Sequence, residues 1–173
     1  TDEPSGLVAA LRPRLNDLHS NLRRKGSDFL AYAILDITVD QYFPSLEHFG
    51  ERLDDLEDRI TDHPPRDIIH DVHDIRIELR EMRRVVWQQR EAINALLRSE
   101  NQLIKGDTRI YLRDCHDHTI QLVELLEVDH ETCSDLRDVY LSAISNRMNE
   151  IMMVLTIIAT IFIPLSFIAA LYG

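Results

Sequence analysis

The sequence predicts an all-α protein: an antiparallel acidic helical hairpin, followed by one very long stalk helix that continues into a transmembrane helix. Residues 107–163 contain neither glycine nor proline over 57 positions, a run that forms roughly 85 Å of helix. Residues 151–172 carry no charged side chain over 22 positions, and a segment of that length spans a bilayer. Because the two runs overlap, one helix is expected to pass from water into the membrane.

Composition supports helices and argues against nucleic acid as a partner. The 173 residues carry 28% charged side chains with only 5 glycines and 6 prolines, which favours helices over a β-sandwich. The formal net charge is −11. Nucleic-acid binding depends on cationic contacts with phosphate, so an acidic chain of this kind suits cations as partners.

The two cysteines are predicted not to form a disulfide within the chain. Cys115 and Cys133 lie 18 positions apart on the same predicted helix, which separates them by roughly 27 Å. A disulfide requires Cα atoms within about 7 Å of each other. Free thiols suit a reducing compartment, and no signal peptide is apparent near the start of the sequence.

Before the hairpin, residues 1–26 are expected to form a short helical segment that is interrupted by Pro13 and closed by Gly26. Ser27 is a candidate N-cap of the next helix, because a serine hydroxyl accepts hydrogen bonds from free backbone amides. The residue before Pro44 resists helical geometry. We therefore expect a kink at this proline rather than the end of a helix.

Residues 27–106 are expected to contain the hairpin. Apolar residues recur at three-to-four spacing on both sides of the break at 62–65, and this spacing is typical of one buried face on each helix. The first set is Leu46, Phe49, Leu53, Leu56 and Ile60, and the second is Val72, Ile75, Leu79, Met82, Val86, Ile93 and Leu96. The second helix is expected to run from about Asp67 to Ile104.

The tetrapeptide KGDT separates the hairpin from the long helix. Gly106 is expected to end the preceding helix, and Asp107 or Thr108 to cap the next one. The long helix then divides into a stalk over residues 107–150 and a pore-lining transmembrane helix over residues 151–173.

A polar stripe follows the stalk in alternating steps of three and four residues, which keeps its members on one face of a supercoiled helix. Ten of its eleven members are polar and six are carboxylates. They are Asp114, Asp117, Gln121, Glu124, Val128, Glu131, Asp135, Asp138, Ser142, Ser145 and Asn149. Taken alone, such a stripe is more often a solvated helix face than a binding surface.

The same count continues into the apolar segment, where it collects small and hydroxyl-bearing residues together with two bulky apolar ones. These are Met152, Thr156, Ala159, Ile163, Ser166, Ala170 and Gly173. Small residues also allow helices to pack closely in lipid. A ring of such helices with their stripes inward would nevertheless form a tube, with carboxylate rings outside the membrane and a hydrophobic constriction at Met152 and Leu155.

Oxygen ligands alone favour a hard cation. Mg²⁺ keeps several waters and meets one or two carboxylates, so a stripe of single carboxylates suits hydrated Mg²⁺. His70 and His73 stand at i and i+3, but two imidazoles are too few for a site and we expect surface residues. Residues 51–62 carry six carboxylates against two arginines and are expected to be a solvated face, with weak divalent-cation screening as the alternative.

The closing stretch YLSAISNRMNEIMMVLTIIATIFIPLSFIAALYG resembles the first membrane helix of the CorA family of magnesium transporters. The stretches FLAYAILDITVDQYFPSLE, ELREMRRVVWQQREAINALLR and YLRDCHDHTIQLVELLE also resemble this family, so the resemblance covers nearly the whole chain. It implies a homopentameric channel in the inner or plasma membrane with its N-terminal part in the cytoplasm. It further implies transport of Mg²⁺, with Co²⁺ as a second cation, and no enzymatic activity.

The resemblance also implies roles for individual residues. Asp114, with Asp117 beside it, matches the regulatory divalent-cation site between subunits. Asn149 matches the asparagine ring at the cytoplasmic mouth of the pore, and Met152 and Leu155 match the hydrophobic gate. Asp138 matches a carboxylate ring of the cytoplasmic funnel, and Ser166 matches a hydroxyl position in the membrane pore. The stripe, rather than the resemblance, adds the predicted funnel carboxylates Glu124, Glu131 and Asp135 and the predicted pore-lining positions Thr156, Ala159, Ile163, Ala170 and Gly173.

Two departures from the family pattern stand out. The signature Tyr-Gly-Met-Asn is present only as Tyr172 and Gly173, and Ala170 replaces the usual glycine. The chain is therefore expected to be a fragment of a longer transporter. The alternatives are a zinc transporter of the same superfamily and a non-conducting helical scaffold anchored in the membrane.

Overall fold

A computed structural model describes residues 6–17, 20–62, 65, 67–99 and 103–173. Throughout these ranges the regular elements are α-helices, and the all-α prediction is confirmed. The helices are α1 Gly6–Asn16, α2 Asn21–Arg24, α3 Ser27–Asp40, α4 Tyr42–Asp62, α5 Ile68–Arg98 and α6 Gly106–Tyr172. The 67 residues of α6 correspond to about 100 Å of helix, and Pro164 lies within it without ending it.

The predicted hairpin forms, and it packs along the long helix. Both apolar sets face a common core: all five α4 positions are buried, and so are all but Met82 and Leu96 of the α5 set. The core is completed by α6 side chains, among them Leu122, Leu126 and Leu136. α5 packs more extensively against α6 than against α4, so the three helices form one bundle.

The buried face of α6 is itself a regular pattern. Its buried residues follow one another at steps of three and four, interrupted only by the partly buried Asp129. They are Leu112, Cys115, Thr119, Leu122, Leu126, Cys133, Leu136 and Tyr140. This spacing continues for about four heptads, which is the seam geometry of helices that pack lengthwise.

A second, smaller core closes the upper end of the bundle. α1, α2 and α3 contribute Leu11, Leu22, Phe29, Ala33 and Ile37. The Phe29 ring packs 5.2 Å from Tyr32 and 5.2 Å from Tyr111 of α6, measured between ring centroids. The Lys25 ammonium lies 4.4 Å from the Tyr111 ring centroid, so a cation covers this aromatic cluster.

Helix boundaries near the prolines differ from the expectation. Pro13 lies inside α1, which continues for three more residues to Asn16, so the predicted interruption at Pro13 is wrong. Before Pro44 the helix is interrupted at Gln41, whose φ of −67° and ψ of −15° stay in the helical region. Pro44 then lies in the first turn of α4, where the missing backbone N–H disturbs the helix least.

α5 ends at Arg98 rather than near Ile104 because another part of the chain satisfies its last carbonyls. Ser99 is extended, with ψ of 129°. The Arg109 guanidinium of α6 donates hydrogen bonds to the backbone oxygens of Leu97, at 2.8 Å, and Ser99. The long-range contact therefore replaces the local glycine cap that the sequence predicted.

The caps also differ from the prediction. Gly26 is the N-cap of α3 and Ser27 is its first residue, so the expected serine cap is wrong. Gly106 begins α6 instead of ending a helix, and Lys105 is the N-cap. A side chain of another helix forms hydrogen bonds at the start of α6. Asp28 of α3 accepts one from the Lys105 backbone N–H and another, at 2.7 Å, from the Thr108 hydroxyl.

Asp28→Ala is expected to loosen the start of α6. The variant removes the acceptor of the Lys105 amide, so hydrogen–deuterium exchange of that amide should become roughly fivefold faster, the size typical of a lost N-cap. Ser27→Ala is the matched control, because Ser27 makes no side-chain cap. Equal exchange in both variants would contradict the assignment of the cap to Asp28.

Candidate functional site

The polar stripe lies on the side of α6 that faces away from the bundle. All eleven of its residues are exposed. Eight of the eleven stripe positions follow a buried residue of α6 by two positions, as Asp114 follows Leu112 and Asp117 follows Cys115. Two residues correspond to about 200° of rotation on a helix. The stripe is therefore free of contacts with the bundle and available to another surface.

The apolar end of α6, residues 151–171, is a candidate membrane span, and we call it the membrane segment. Among the described helices, α6 is the one long and apolar enough to cross a membrane. Every residue from Ile151 to Leu171 is exposed. Because bulky apolar side chains are stable in lipid but not in water, this exposure is what a membrane-embedded helix requires.

The hydroxyls of this segment bond to their own helix. Thr156 Oγ1 donates to the Met152 backbone oxygen at 2.7 Å, and Thr160 Oγ1 donates to the Thr156 backbone oxygen at 2.7 Å. Each hydroxyl proton is thereby satisfied inside the helix, which a membrane interior demands. The hydroxyl oxygens keep free lone pairs and can accept a hydrogen bond from a water or face a cation.

The remaining pore candidates are exposed as well. Met152 and Leu155 keep 60% and 56% of their surface, and Ile163 keeps 68%. The same holds for Asn149, Thr156, Ala159, Ser166, Ala170 and Gly173. Tyr172 closes α6, and its side chain lies outside what the structure describes. A single copy therefore leaves the predicted pore-lining residues uncovered.

Near the upper end of α6 the structure assembles a group of possible metal ligands that the sequence did not reveal. Asp36 and Asp40 of α3 and His118 of α6 offer ligand atoms that all lie within 4.8 Å of one another. His118 Nδ1 is 3.7 Å from Asp40 Oδ1. Partial burial, and then the neighbouring Asp40 carboxylate, raise the pKa of Asp36.

The predicted regulatory pair borders this group. Asp117 precedes His118 and lies 3.6 Å from His116 Nδ1. Asp114 is one helical turn before His118, and its charge and that of Asp36 both raise the pKa of Tyr32, after the larger effect of burial. Asp114 and Asp117 are exposed on the same helix as His118 and are not members of the Asp36–Asp40–His118 group.

Comparison with known proteins decides the family. The family model described as CorA-like Mg²⁺ transporter protein matches residues 1–173. The chain belongs to the CorA-like Mg²⁺ transporter family. The cobalt/magnesium transport protein CorA of Thermotoga maritima is 41% identical over 163 residues, which cover 94% of this chain and 46% of that protein. The putative metal ion transporter YfjQ of Bacillus subtilis is 37% identical and is matched over 52% of its length.

Solved structures share the fold. The complete CorA magnesium transporter of Methanocaldococcus jannaschii matches with a TM-score of 0.82 at 22% identity, covering 99% of this chain and 55% of that one. The full-length CmaX protein matches with a TM-score of 0.84 at 24% identity, covering 99% of this chain and 52% of that one. The chain spans about half the length of the CorA-family proteins that it matches.

In this CorA-family chain the hairpin acids are partly engaged. A groove of about 350 Å³ between α4 and α5 is lined by Asp55, Arg59, Asp71, Asp74 and Glu78, among others. Arg52 pairs with Glu78 at 2.7 Å and Arg59 with Asp71 at 3.4 Å. The two arginines therefore pair with three of the five carboxylates that line this groove, and the solvated face stays a prediction.

Asp55→Asn combined with Asp74→Asn is expected to leave the Mg²⁺ dependence of the full-length protein within about twofold of wild type, because exposed carboxylates hold a cation weakly. The measurement is the Mg²⁺ concentration that gives half-maximal protection from protease. A shift above about tenfold would favour divalent-cation screening by the hairpin instead.

The histidine and cysteine predictions can also be placed. His70 and His73 are exposed on α5, and the group of possible metal ligands found among the described residues contains neither. Cys115 and Cys133 are both free and buried, so the prediction of no internal disulfide is confirmed. Burial raises the pKa of Cys115 to about 12 and that of Cys133 to about 11.

Proposed function

We propose that the protein containing this chain is a divalent-cation channel that carries Mg²⁺, and Co²⁺ as a second cation, through a homopentameric pore lined by α6. One observation carries the proposal. A single continuous helix bears an exposed carboxylate face opposite its buried seam, and this face continues without a break into a membrane-length segment. The names of two relatives, both called cobalt/magnesium transport proteins, support the choice of cation.

In this proposal the residues act in order along the helix. Rings of Glu124, Glu131, Asp135 and Asp138 concentrate cations in a cytoplasmic funnel, because like-charged rings in a narrow space attract counter-ions. Asn149 meets the hydrated ion at the pore mouth. Met152 and Leu155 form a hydrophobic constriction that closes by excluding water. Below it, oxygens such as those of Thr156 and Ser166 face the permeating ion.

The upper end of α6 is proposed to sense the cation. Asp114 and Asp117 lie at the edge of the Asp36–Asp40–His118 group, so a divalent cation there would meet carboxylates from two helices. Carboxylates that lie close together repel one another, and a bound Mg²⁺ offsets this repulsion. The ion therefore stabilises only the arrangement in which the carboxylates stay together. Binding would therefore favour the closed arrangement of subunits, and loss of the ion would release it.

Ion flux tests the proposal. The full-length protein is reconstituted in liposomes of inner-membrane lipid composition, and the uptake of Mg²⁺, Co²⁺ and Zn²⁺ is compared. We expect uptake of Mg²⁺ and Co²⁺, with a large loss in Asn149→Ala and little change in the control Asn146→Ala, which lies off the stripe. Uptake of Zn²⁺ alone would favour the zinc transporter. No uptake from a well-assembled protein would favour the membrane-anchored scaffold.

A further inference from the structure

The two outer sides of the bundle carry opposite charge. On α4, the side away from α5 presents Glu47, Asp54, Glu57 and Asp58, all exposed. None of the four forms an ion pair with a residue that the structure describes. Asp129 of α6 adjoins them, and burial together with the Asp54 charge raises the pKa of Asp129. We call these five residues the acidic flank.

The outer side of α5 is basic. Arg76, Arg80, Arg83 and Arg84 follow one another at helical spacing, and we call them the basic flank. Arg76 Nε donates to His130 Nε2 at 3.2 Å, and Arg83 pairs with Glu127 at 2.7 Å. Arg80 and Arg84 are exposed and form no ion pair with a described residue.

The separation of charge is unusual for a chain with a net charge of −11. The α5 carboxylates Asp71, Asp74 and Glu78 line the hairpin groove. The α4 arginines Arg52 and Arg59 line it from the other side. Inside the hairpin, Arg52 pairs with Glu78 and Arg59 pairs with Asp71. On the outer sides, the α4 carboxylates of the acidic flank form no ion pair with a described residue, and neither do Arg80 and Arg84 of the basic flank. Surfaces of opposite charge attract each other.

Each flank also has one apolar feature. Beside the acidic flank, a groove of about 430 Å³ is lined by Phe43, Pro44, Leu46 and Leu125 together with Glu47 and Asp129. Beside the basic flank, Trp87 keeps 51% of its surface exposed. A tryptophan that fills an apolar groove is the commonest kind of anchor at protein interfaces.

Trp87 lies at the height of the upper end of the apolar groove, where Phe43 and Pro44 are found. The Phe43 ring packs against His118, with 6.2 Å between ring centroids. α5 and α6 run in opposite directions, and Arg76 of α5 contacts His130 of α6. Trp87 comes eleven residues after Arg76, so it lies at the height of Thr119, which comes eleven residues before His130. The contact between Leu97 and Arg109 gives the same register. Trp87 therefore stands level with Thr119, next to His118.

The charges match in height as well. Asp54 adjoins Asp129 on one side, while Arg76 contacts His130, the next residue of α6, on the other. A subunit ring is generated by rotation without translation, so every neighbour stands at the same height. Features that match in height on opposite sides of one chain would therefore meet between adjacent copies.

We propose that the acidic flank of one copy docks against the basic flank of the next, with Trp87 seated in the groove of its neighbour beside Pro44. The occupant of both surfaces is a second copy of this chain, and the contact is head-to-tail. The inference rests on the proposed function, since the copies surround the inward stripe of α6. It adds an outer belt of contacts in the cytoplasmic part that holds the ring independently of the membrane segment.

Disulfide trapping tests the contact in the full-length protein. Trp87→Cys and Pro44→Cys are placed in one chain and oxidised in detergent or membranes. Because the two positions lie on opposite sides of the same copy, a head-to-tail contact links each chain to the next, and a ladder of covalent oligomers is expected. Neither single variant should give a ladder, and the buried Cys115 and Cys133 should remain unreactive.

The matched control replaces Gln88 instead of Trp87. Gln88 stands at nearly the same height but is rotated by about 100° from Trp87, so Gln88→Cys with Pro44→Cys should give no ladder. Charge reversal gives a second measurement. Arg84→Glu should weaken the ring on native mass spectrometry, and the added Glu47→Arg should restore it, whereas the added Glu51→Arg should not.

The outcomes separate this inference from the proposed function. A protein that assembles and takes up Mg²⁺ but gives no Trp87–Pro44 ladder overturns the docking of the flanks and leaves the channel intact. A ladder together with loss of the ring in Arg84→Glu supports it. A ladder without ion uptake supports the contact while contradicting the channel. A protein that stays monomeric, with a different protein bound to the flanks, overturns both.

Discussion

Leu155→Asp in the full-length protein is expected to keep Mg²⁺ flowing at Mg²⁺ concentrations that close the wild-type channel. Leu155 lies on the exposed face of the membrane segment, one turn below Met152. A ring of leucines excludes water when narrow, whereas a ring of carboxylates stays hydrated. We expect uptake at high internal Mg²⁺ to rise roughly tenfold or more over wild type, measured in liposomes with a fluorescent Mg²⁺ indicator.

The control for this variant is Leu155→Val, which keeps the constriction apolar and should close as wild type does. Assembly must be checked first by native mass spectrometry, because a carboxylate in a membrane segment disfavours insertion. If an assembled Leu155→Asp protein closes at the same Mg²⁺ concentration as wild type, Leu155 does not belong to the gate.

The second large effect is expected from Asp114→Lys. The variant brings a tethered ammonium to the edge of the Asp36–Asp40–His118 group, where it can pair with carboxylates that would otherwise meet Mg²⁺. The Mg²⁺ concentration for half-maximal protection from protease should rise by about tenfold, equivalent to about 1.4 kcal/mol of lost binding. Permeation should persist, because Asp114 lies far above the constriction.

Glu81→Lys makes the same charge change at an exposed position of α5 and should leave protection unchanged. Leu155→Asp should also leave it unchanged, since the gate acts after sensing. Protection of Asp114→Lys over the wild-type range of Mg²⁺ would remove Asp114 from the sensor. The pair of variants thus assigns sensing and gating to different ends of one helix.

Local periodicity made the helices predictable. The three-to-four spacing of Leu46 through Ile60 and of Val72 through Ile93 follows from burial of one helix face, and the structure buries these positions except Met82. The absence of glycine and proline from Asp107 to Ile163 likewise predicted one unbroken helix. Such features depend on neighbours in sequence, so a single sequence contains them.

The buried seam of α6 is present in the sequence pattern but was not predicted from it. Leu112, Leu122 and Leu126 follow the same alternation as the stripe, displaced by two positions. Cysteine and threonine occupy other seam positions, as with Cys115 and Thr119, and small polar side chains weaken an apolar pattern. Only the acidic stripe was therefore recognised in the sequence, although an exposed stripe implies a buried side opposite it.

Contacts between distant segments were not predictable from periodicity. Asp28 and Thr108 are 80 residues apart, and their bond depends on how α3 sits against α6. The same is true of the Asp36–Asp40–His118 group. The i, i+4 spacing of Asp36 and Asp40 is a local signal, but the third ligand arrives only through tertiary packing. Boundary errors at Ser27 and Ile104 have this common cause.

Because α6 is one continuous helix, its two ends can move together as a rigid body. His118 and Met152 are 34 positions apart on one helix, a distance of about 51 Å. A rigid tilt of about 3° at the upper end moves Met152 sideways by about 2.7 Å, by simple geometry on that length. A displacement of this size is close to one water diameter, the scale on which a hydrophobic constriction changes from dry to wet. An ångström-scale rearrangement of carboxylates at the top can thus be transmitted to the pore without bending the helix.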